Sequence, residues 1–213
     1  MSSKRIHLVR HAQADHNVDF DNHSFPDAAL TPTGKEQCIG LNERTSMNIQ
    51  KSAQLLVTSP LRRTLQTTLI GFPQLIHKLG GRSAIIALPQ LQENGCSPAD
   101  TGSSRSELEG DKEFEGIDFS LLADGWNSKS GVWSSDKHSL KHRAGWTRTW
   151  LAARPEEEIV VVSHGGALRY ITEDYAGDEP WGNTEYRTYT VSNELSKYGG
   201  PKLILATPQA SLS

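Results

Sequence analysis

The sequence predicts an α/β fold in three layers, a mostly parallel central sheet with helices on both faces. Three observations carry this. Short runs rich in β-branched residues, at 6–10, 53–58, 84–88 and 159–162, alternate with segments of helical character. That alternation is the pattern of a parallel sheet covered on both sides. Each of the four runs is also followed by a polar motif, at the carboxyl end where such sheets hold their ligands.

Residues 6–10 open the sheet. Thr31 then reads as a helix cap with Pro32 at the first helical position, starting a helix that runs to about 47. The strand at 53–58 leads into a helix over 61–70, with Leu61, Leu65 and Leu69 at fourfold spacing. After the strand at 84–88, residues 93–136 are punctuated by glycines and proline and read as an irregular, lid-like insertion. Trp126 and Trp133 near its end either line a pocket or, more commonly for such residues, bury the insertion. Helix resumes over 138–153 and stops before Pro155. The strand at 159–162 is followed by a helix over 165–175, a fifth strand at 187–191 and an edge strand at 202–206. The tail beyond it is expected to fray. No internal repeat interrupts the chain, so residues 1–213 are expected to form a single domain.

With 213 residues, 36% of them hydrophobic and 22% charged, the composition is that of a globular chain. A formal net charge of −3 gives no basis for nucleic-acid binding, and attraction for an anionic substrate must be local. Cys38 and Cys96 are the two cysteines, too few for a disulfide framework and suited to a reducing compartment. No apolar stretch has the length of a signal peptide's core at the N-terminus, or of a membrane span anywhere. The expectation is a soluble cytoplasmic protein with no membrane partner.

The chemistry sits in the four motifs. Arg10-His11-Ala12 follows the first strand, Ser59-Pro60-Leu61-Arg62-Arg63 the second, Gln92-Glu93 the third and Ser163-His164-Gly165-Gly166 the fourth. In a doubly wound sheet these ends share one rim. Phosphoryl transfer needs cations on the non-bridging oxygens, an in-line nucleophile and an acid for the leaving oxygen. Arg10 and Arg63 supply planar forks of constant charge suited to phosphate. His11 is the candidate nucleophile, kept neutral by nearby arginines, and His164 the candidate donor to the phosphoryl oxygens. Glu93 is the candidate acid.

With these residues in place, the chain resembles the histidine phosphatase superfamily, which has the phosphoglycerate-mutase-like fold, over most of residues 5–193. The family's Arg-His-Gly is Arg10-His11-Ala12 here, and Asn17 falls where the family often has asparagine. Leu30-Thr31-Pro32-Thr33-Gly34 resembles its Leu-Thr-x-x-Gly motif. Ser59 to Arg63 matches Ser-x-Leu-x-Arg, which puts the phosphate role on Arg63 rather than Arg62. The resemblance implies a phosphohistidine at His11, formed without metal or cofactor and hydrolysed by water. It implies a phosphate pocket of Arg10, His11, Arg63 and His164, joined by Asn17. The segment after Glu93 lacks the Phe-Gly-x-Trp-Glu pattern of close mutase relatives, and Asp100-Thr101-Gly102 resembles a fungal branch of phosphatases instead. Asp100 is therefore the reserve acid.

Simpler readings stand beside these. Asn17 could form an Asx-turn instead of touching phosphate. His16, His23, His138 and His142 read as ordinary polar residues, and no spacing argues for a metal. Gly165-Gly166 could open a helix N-terminus towards phosphate or serve tight packing. The expected function is a metal-independent phosphatase for a small phosphorylated metabolite. The alternatives are a phosphoglycerate mutase using the same residues, and a non-catalytic phospholigand-binding module on the same fold. The insertion carries Arg105, Lys112 and Lys129 against many acids, which favours hydrolysis over a mutase's basic lid.

Overall fold

The computed structural model describes residues 4–174 and 180–206. Six strands form one sheet: β1 (Arg5–Arg10), β2 (Leu55–Thr58), β3 (Ile85–Ala87), β4 (Glu158–Ser163), β5 (Tyr186–Leu195) and β6 (Pro201–Leu205). Their order is β3-β2-β4-β1-β5-β6. β3, β2, β4 and β1 pair in parallel, as expected, whereas β5 runs antiparallel to β1 and β6 antiparallel to β5. The β5–β6 link is a short turn in which Gly199 and Gly200 take positive φ, a connection available only to antiparallel neighbours.

β4 lies between β1 and β2, although it is the last of the four parallel strands in the chain. Its register sets Arg10 opposite Ser163, so the residues that follow, His11 and His164, leave the sheet side by side. Strand periodicity separates two cores. Val9, Leu56, Val160 and Val162 pack with α1 (Pro32–Thr45), α3 (Arg62–Gly71) and α4 (Pro73–Lys78). Ile6, Leu8, Val57, Ile159 and Val161 face the other way, against α6 (Lys137–Ala153) and α7 (Gly165–Thr172). This is the three-layer arrangement.

Several boundaries differ from expectation. α1 ends at Thr45, and a separate turn of helix, α2 (Ile49–Ser52), follows with Asn48 as its cap. α4 was not anticipated, although Pro73 at its first position is a start signal. α7 stops at Thr172 because Glu173 adopts the left-handed conformation (φ 59°), so the expected continuation to 175 does not form; Tyr175 itself lies outside the described residues. The expected frayed tail from 207 onwards lies outside them as well.

The insertion is less irregular than its glycines suggest. It contains a short helix, α5 (Arg105–Gly110), started by a reciprocal Ser104/Glu107 capping box, and a series of 3-10 turns. Leu108, Phe114, Ile117, Phe119, Leu122 and Trp126 sink into the core beneath the α1/α3 layer. Trp126 is thus an anchor of the segment, and its indole occupies the space a Cβ on Gly102 would need, 2.3 Å away. Trp133 packs partly buried against the same cluster. No described helix is long and apolar enough to cross a membrane.

Candidate active site

Loop 11–17 leaves β1 and is clamped against the start of α1. Thr31 caps that helix by accepting the Gly34 N–H at 3.0 Å, and its own N–H donates to the Gln13 carbonyl at 3.1 Å. A Cβ on Gly34 would lie 2.0 Å from that carbonyl oxygen, so the Leu-Thr-x-x-Gly pattern records a backbone-to-backbone approach. The loop is held from the opposite side by Asn183, whose Nδ2 donates to the His11 carbonyl at 3.0 Å, and by the Thr184 N–H, which donates to the Arg10 carbonyl at 3.2 Å.

His11 is buried, and its Nδ1 lies 2.7 Å from the Ala12 carbonyl. A carbonyl can only accept, so Nδ1 carries the proton. Nε2 is left as the acceptor, and it faces the Arg63 Nε–H at 3.3 Å. Burial, and after it the charges of Arg63 and Arg10, push the His11 pKa well below the ordinary histidine value. The imidazole is neutral with its lone pair on Nε2, as the nucleophile reading requires.

The His164 ring is 5.1 Å from that of His11, edge to face, and equally buried. Its Nε2 lies 2.8 Å from the hydroxyl of Ser59, the first residue of the Ser-x-Leu-x-Arg motif. That hydroxyl also accepts the Leu61 N–H at 3.5 Å. His164 Nδ1 is buried with no hydrogen-bond partner among the described residues. Burial foremost, then Arg63, holds His164 neutral too.

Arg63 is fully buried, and its fork spans His11, the Ala99 carbonyl (2.6 Å) and Asp100 Oδ1 (2.9 Å). Arg62, the next residue round the helix, points away and pairs with Asp111 at 2.6 Å. Arg10 donates to the Trp181 carbonyl through Nη1, while its Nε is buried with no partner among the described residues.

Glu93 lies where α7 begins, beside His164. Its carboxylate accepts the N–H groups of Asn94 (2.7 Å), Ala167 (3.1 Å) and Gly166 (3.3 Å). At the start of α7 the N–H groups of Gly166 and Ala167 thus face a carboxylate, and Gly166 leaves room for it: a Cβ there would lie 2.4 Å from Glu93 Oε1. Asp100 sits elsewhere, held by Arg63 and by the Ser97 hydroxyl at 3.0 Å. Asn17 forms the local turn, its Oδ1 accepting the Ala14 N–H at 3.1 Å.

Two groups escaped the sequence reading. His16 and His23 are not scattered polar residues: the His16 ring packs 5.6 Å from His11 and 5.4 Å from His23. Lys129, from the insertion, turns inward and donates to the Glu93 carbonyl at 2.9 Å. Burial, followed by the Arg143 charge, lowers its pKa to about 8. A ring of contacts fixed by tertiary packing leaves no periodic signal in the sequence; the three histidines within residues 11–23 are the cue it does carry. Among the described residues, no group of three or more His, Cys, Asp or Glu side chains is placed to hold a metal ion.

Fold and site together define an α/β protein with a cluster of histidine and arginine side chains at the carboxyl edge of its sheet. The family model of the histidine phosphatase superfamily (branch 1) matches residues 6–200, and the chain belongs to that superfamily. It is 32% identical to phosphoglycerate mutase-like protein 1 of Arabidopsis thaliana, over 78% of this chain and 69% of that one. A Schizosaccharomyces pombe protein described as a probable phosphatase is 29% identical, over 78% of this chain and 76% of its own. Among solved structures, the mycobacterial glucosyl-3-phosphoglycerate phosphatase with inorganic phosphate superposes with a TM-score of 0.59 at 16% identity, covering 98% of both chains. Phosphoserine phosphatase of Entamoeba histolytica gives 0.53 at 19% identity, covering 96% of this chain and 98% of that one. The fold is thus phosphoglycerate-mutase-like, as expected.

Proposed function

We propose that this chain is a phosphoric monoester hydrolase that works through a phosphohistidine at His11 and needs no metal. One observation carries the reading: the neutral His11, its proton held on Nδ1 by the Ala12 carbonyl, presents Nε2 to the Arg63 guanidinium beside a second neutral histidine. In this reading Nε2 attacks phosphorus as the ester P–O bond breaks, and Glu93 protonates the departing alkoxide oxygen. Glu93 then takes a proton from water as that water attacks the phosphohistidine and the P–N bond breaks. Arg10, Arg63 and His164 hold the non-bridging oxygens throughout, supplying the positive potential that metals supply elsewhere. Asn17 joins them through the amide N–H that its local bonds leave over. Glu93 is preferred to Asp100 because Asp100 competes with phosphate for the Arg63 fork, whereas Glu93 stands at the rim with Lys129.

Hydrolysis is favoured over mutase chemistry by the insertion's cations. Arg105 pairs with Glu109 on the surface and Lys112 is exposed, so of the three only Lys129 reaches the site. One lysine beside the acid suits a small leaving group, at most singly charged. Relatives named for glucosyl-3-phosphoglycerate and phosphoserine fit the same size class.

The test is phosphate release from a panel of small phosphomonoesters, with chelator present, for the wild type and His11→Ala. Release that survives chelation and disappears in the variant is expected. Full activity in His11→Ala would falsify the mechanism. Phosphoglycerate interconversion faster than phosphate release would move the chain to the mutases. Tight phospholigand binding without turnover of any compound would make it a binding module.

A further inference from the structure

We propose that His16 is a third histidine of the phosphate pocket, whose Nδ1–H holds a phosphoryl oxygen beside His11. The inference rests on the phosphatase reading and adds to it a donor that none of the motifs assigns.

The argument starts from Asn17. Its Oδ1 accepts the Ala14 N–H at 3.1 Å, which fixes which end of the amide is oxygen. The other end, Nδ2, is a donor only, and it lies 3.1 Å from His16 Nε2. Nε2 must therefore accept, and in a neutral ring the single proton resides on Nδ1. The ring is neutral: burial, and next the Arg63 charge, push its pKa down to about 3. His16 is thus held as a neutral Nδ1–H donor at neutral pH.

That donor has no hydrogen-bond partner among the described residues. Among the described residues, the buried polar atoms without a hydrogen-bond partner include His16 Nδ1, His164 Nδ1 and Arg10 Nε. All three belong to side chains gathered around His11. The ring contacts place His16 and His164 on it, and the Arg10 charge acts on it directly. Buried donors that stay unpaired are costly, and their concentration at one point calls for an acceptor-rich ligand. A phosphoryl group, with three oxygens and no donors when ionised, is such a ligand. Arg63, Asp100 and Arg10 all act electrostatically on His16, so it shares the surroundings of the groups already assigned to phosphate. The ring is also held in place: it is packed between those of His11 and His23.

Three variants of the full chain test this: His16→Phe, which keeps a ring and removes both nitrogens; His16→Asn, whose amide falls near Nδ1; and His16→Gln, whose amide reaches towards Nε2. The readouts are affinities for inorganic phosphate and orthovanadate by titration calorimetry, with turnover of p-nitrophenyl phosphate alongside. His16→Phe is expected to weaken vanadate binding by about 10- to 100-fold, the range for a hydrogen bond to a charged group, with turnover falling in parallel. His16→Asn is expected to recover more than His16→Gln. If His16→Phe does not fold, the Asn and Gln variants decide alone. An active wild type matched within about twofold by His16→Phe, or recovery by Gln and not by Asn, overturns the proposal. A wild type that neither hydrolyses the ester nor binds vanadate overturns the phosphatase reading, and this one with it.

Discussion

Gly166 leaves room for the carboxylate of Glu93: a Cβ on that glycine would lie 2.4 Å from Oε1. The carboxylate fills this space because the first N–H groups of α7 point into it, and an anion at a helix N-terminus is stabilised by about 0.3–1 kcal/mol. The second glycine of Ser163-His164-Gly165-Gly166 therefore serves the residue proposed as the acid. Gly166→Ala is expected to expel Glu93 and lower kcat by roughly 100-fold, the scale of an ångström-sized misplacement. The thermal midpoint should move by only a few degrees, since no core contact is lost. Phosphate release and a melting curve check it; an unchanged kcat would remove Glu93 from the chemistry.

Glu93 and Asp100 can be separated directly. Glu93→Gln is expected to reduce kcat by about 10²–10⁴-fold, the usual worth of a general acid. Asp100→Ala should keep most of the turnover and bind phosphate more tightly, because it removes the Oδ1 that accepts the Arg63 N–H at 2.9 Å. The opposite pair of results assigns the acid role to Asp100.

Lys129 should give the reaction a pH dependence on the leaving-group side. Its pKa is lowered to about 8, so the ammonium is present below that pH and lost as pH rises through it. For an ester whose alcohol carries a carboxylate, KM is expected to rise above about pH 8. The phosphate group itself, with a second pKa of about 6, is already dianionic there. In Lys129→Met the KM should be raised at pH 7 and flat across this range. A wild-type KM that does not change between pH 7 and 9 would place Lys129 outside the substrate's reach.

Gly34→Ala should be costly although the substitution is mild for a helix. The added Cβ meets the backbone carbonyl of Gln13 at 2.0 Å, and neither α1 nor loop 11–17 can yield without breaking the Thr31 clamp. Overpacking of this kind typically costs about 1–3 kcal/mol. Denaturant unfolding measures the loss. A loss of phosphate affinity should accompany it, because the same loop carries His11 and His16.

Arg10-His11, Ser59 to Arg63, Glu93 and His164 were legible because each follows a strand whose β-branched run is written locally. A parallel sheet then brings all strand ends to one rim whatever their separation in the chain. The alternation of strands and helices, the Thr31 cap and the choice of Arg63 over Arg62 belong to the same class of local or motif-borne information. The packed insertion was harder to see. Its anchors, Phe114, Phe119 and Trp126 among them, are spaced for a cavity under α1 and α3 rather than for any helical or strand period, so glycine punctuation outweighed them.

The sequence by itself determined the layers of the fold, the four motifs and the residues that carry charge, since these depend on short-range pattern and chain order. Only the tertiary structure decided which proton His11 and His16 hold, that His16 stands against His11, that Lys129 turns inward and that Asp100 grips Arg63. Those outcomes depend on hydrogen bonds and burial between segments distant in the chain. A histidine's tautomer and charge are set by the atoms packed against it, and no local pattern of residues encodes those neighbours.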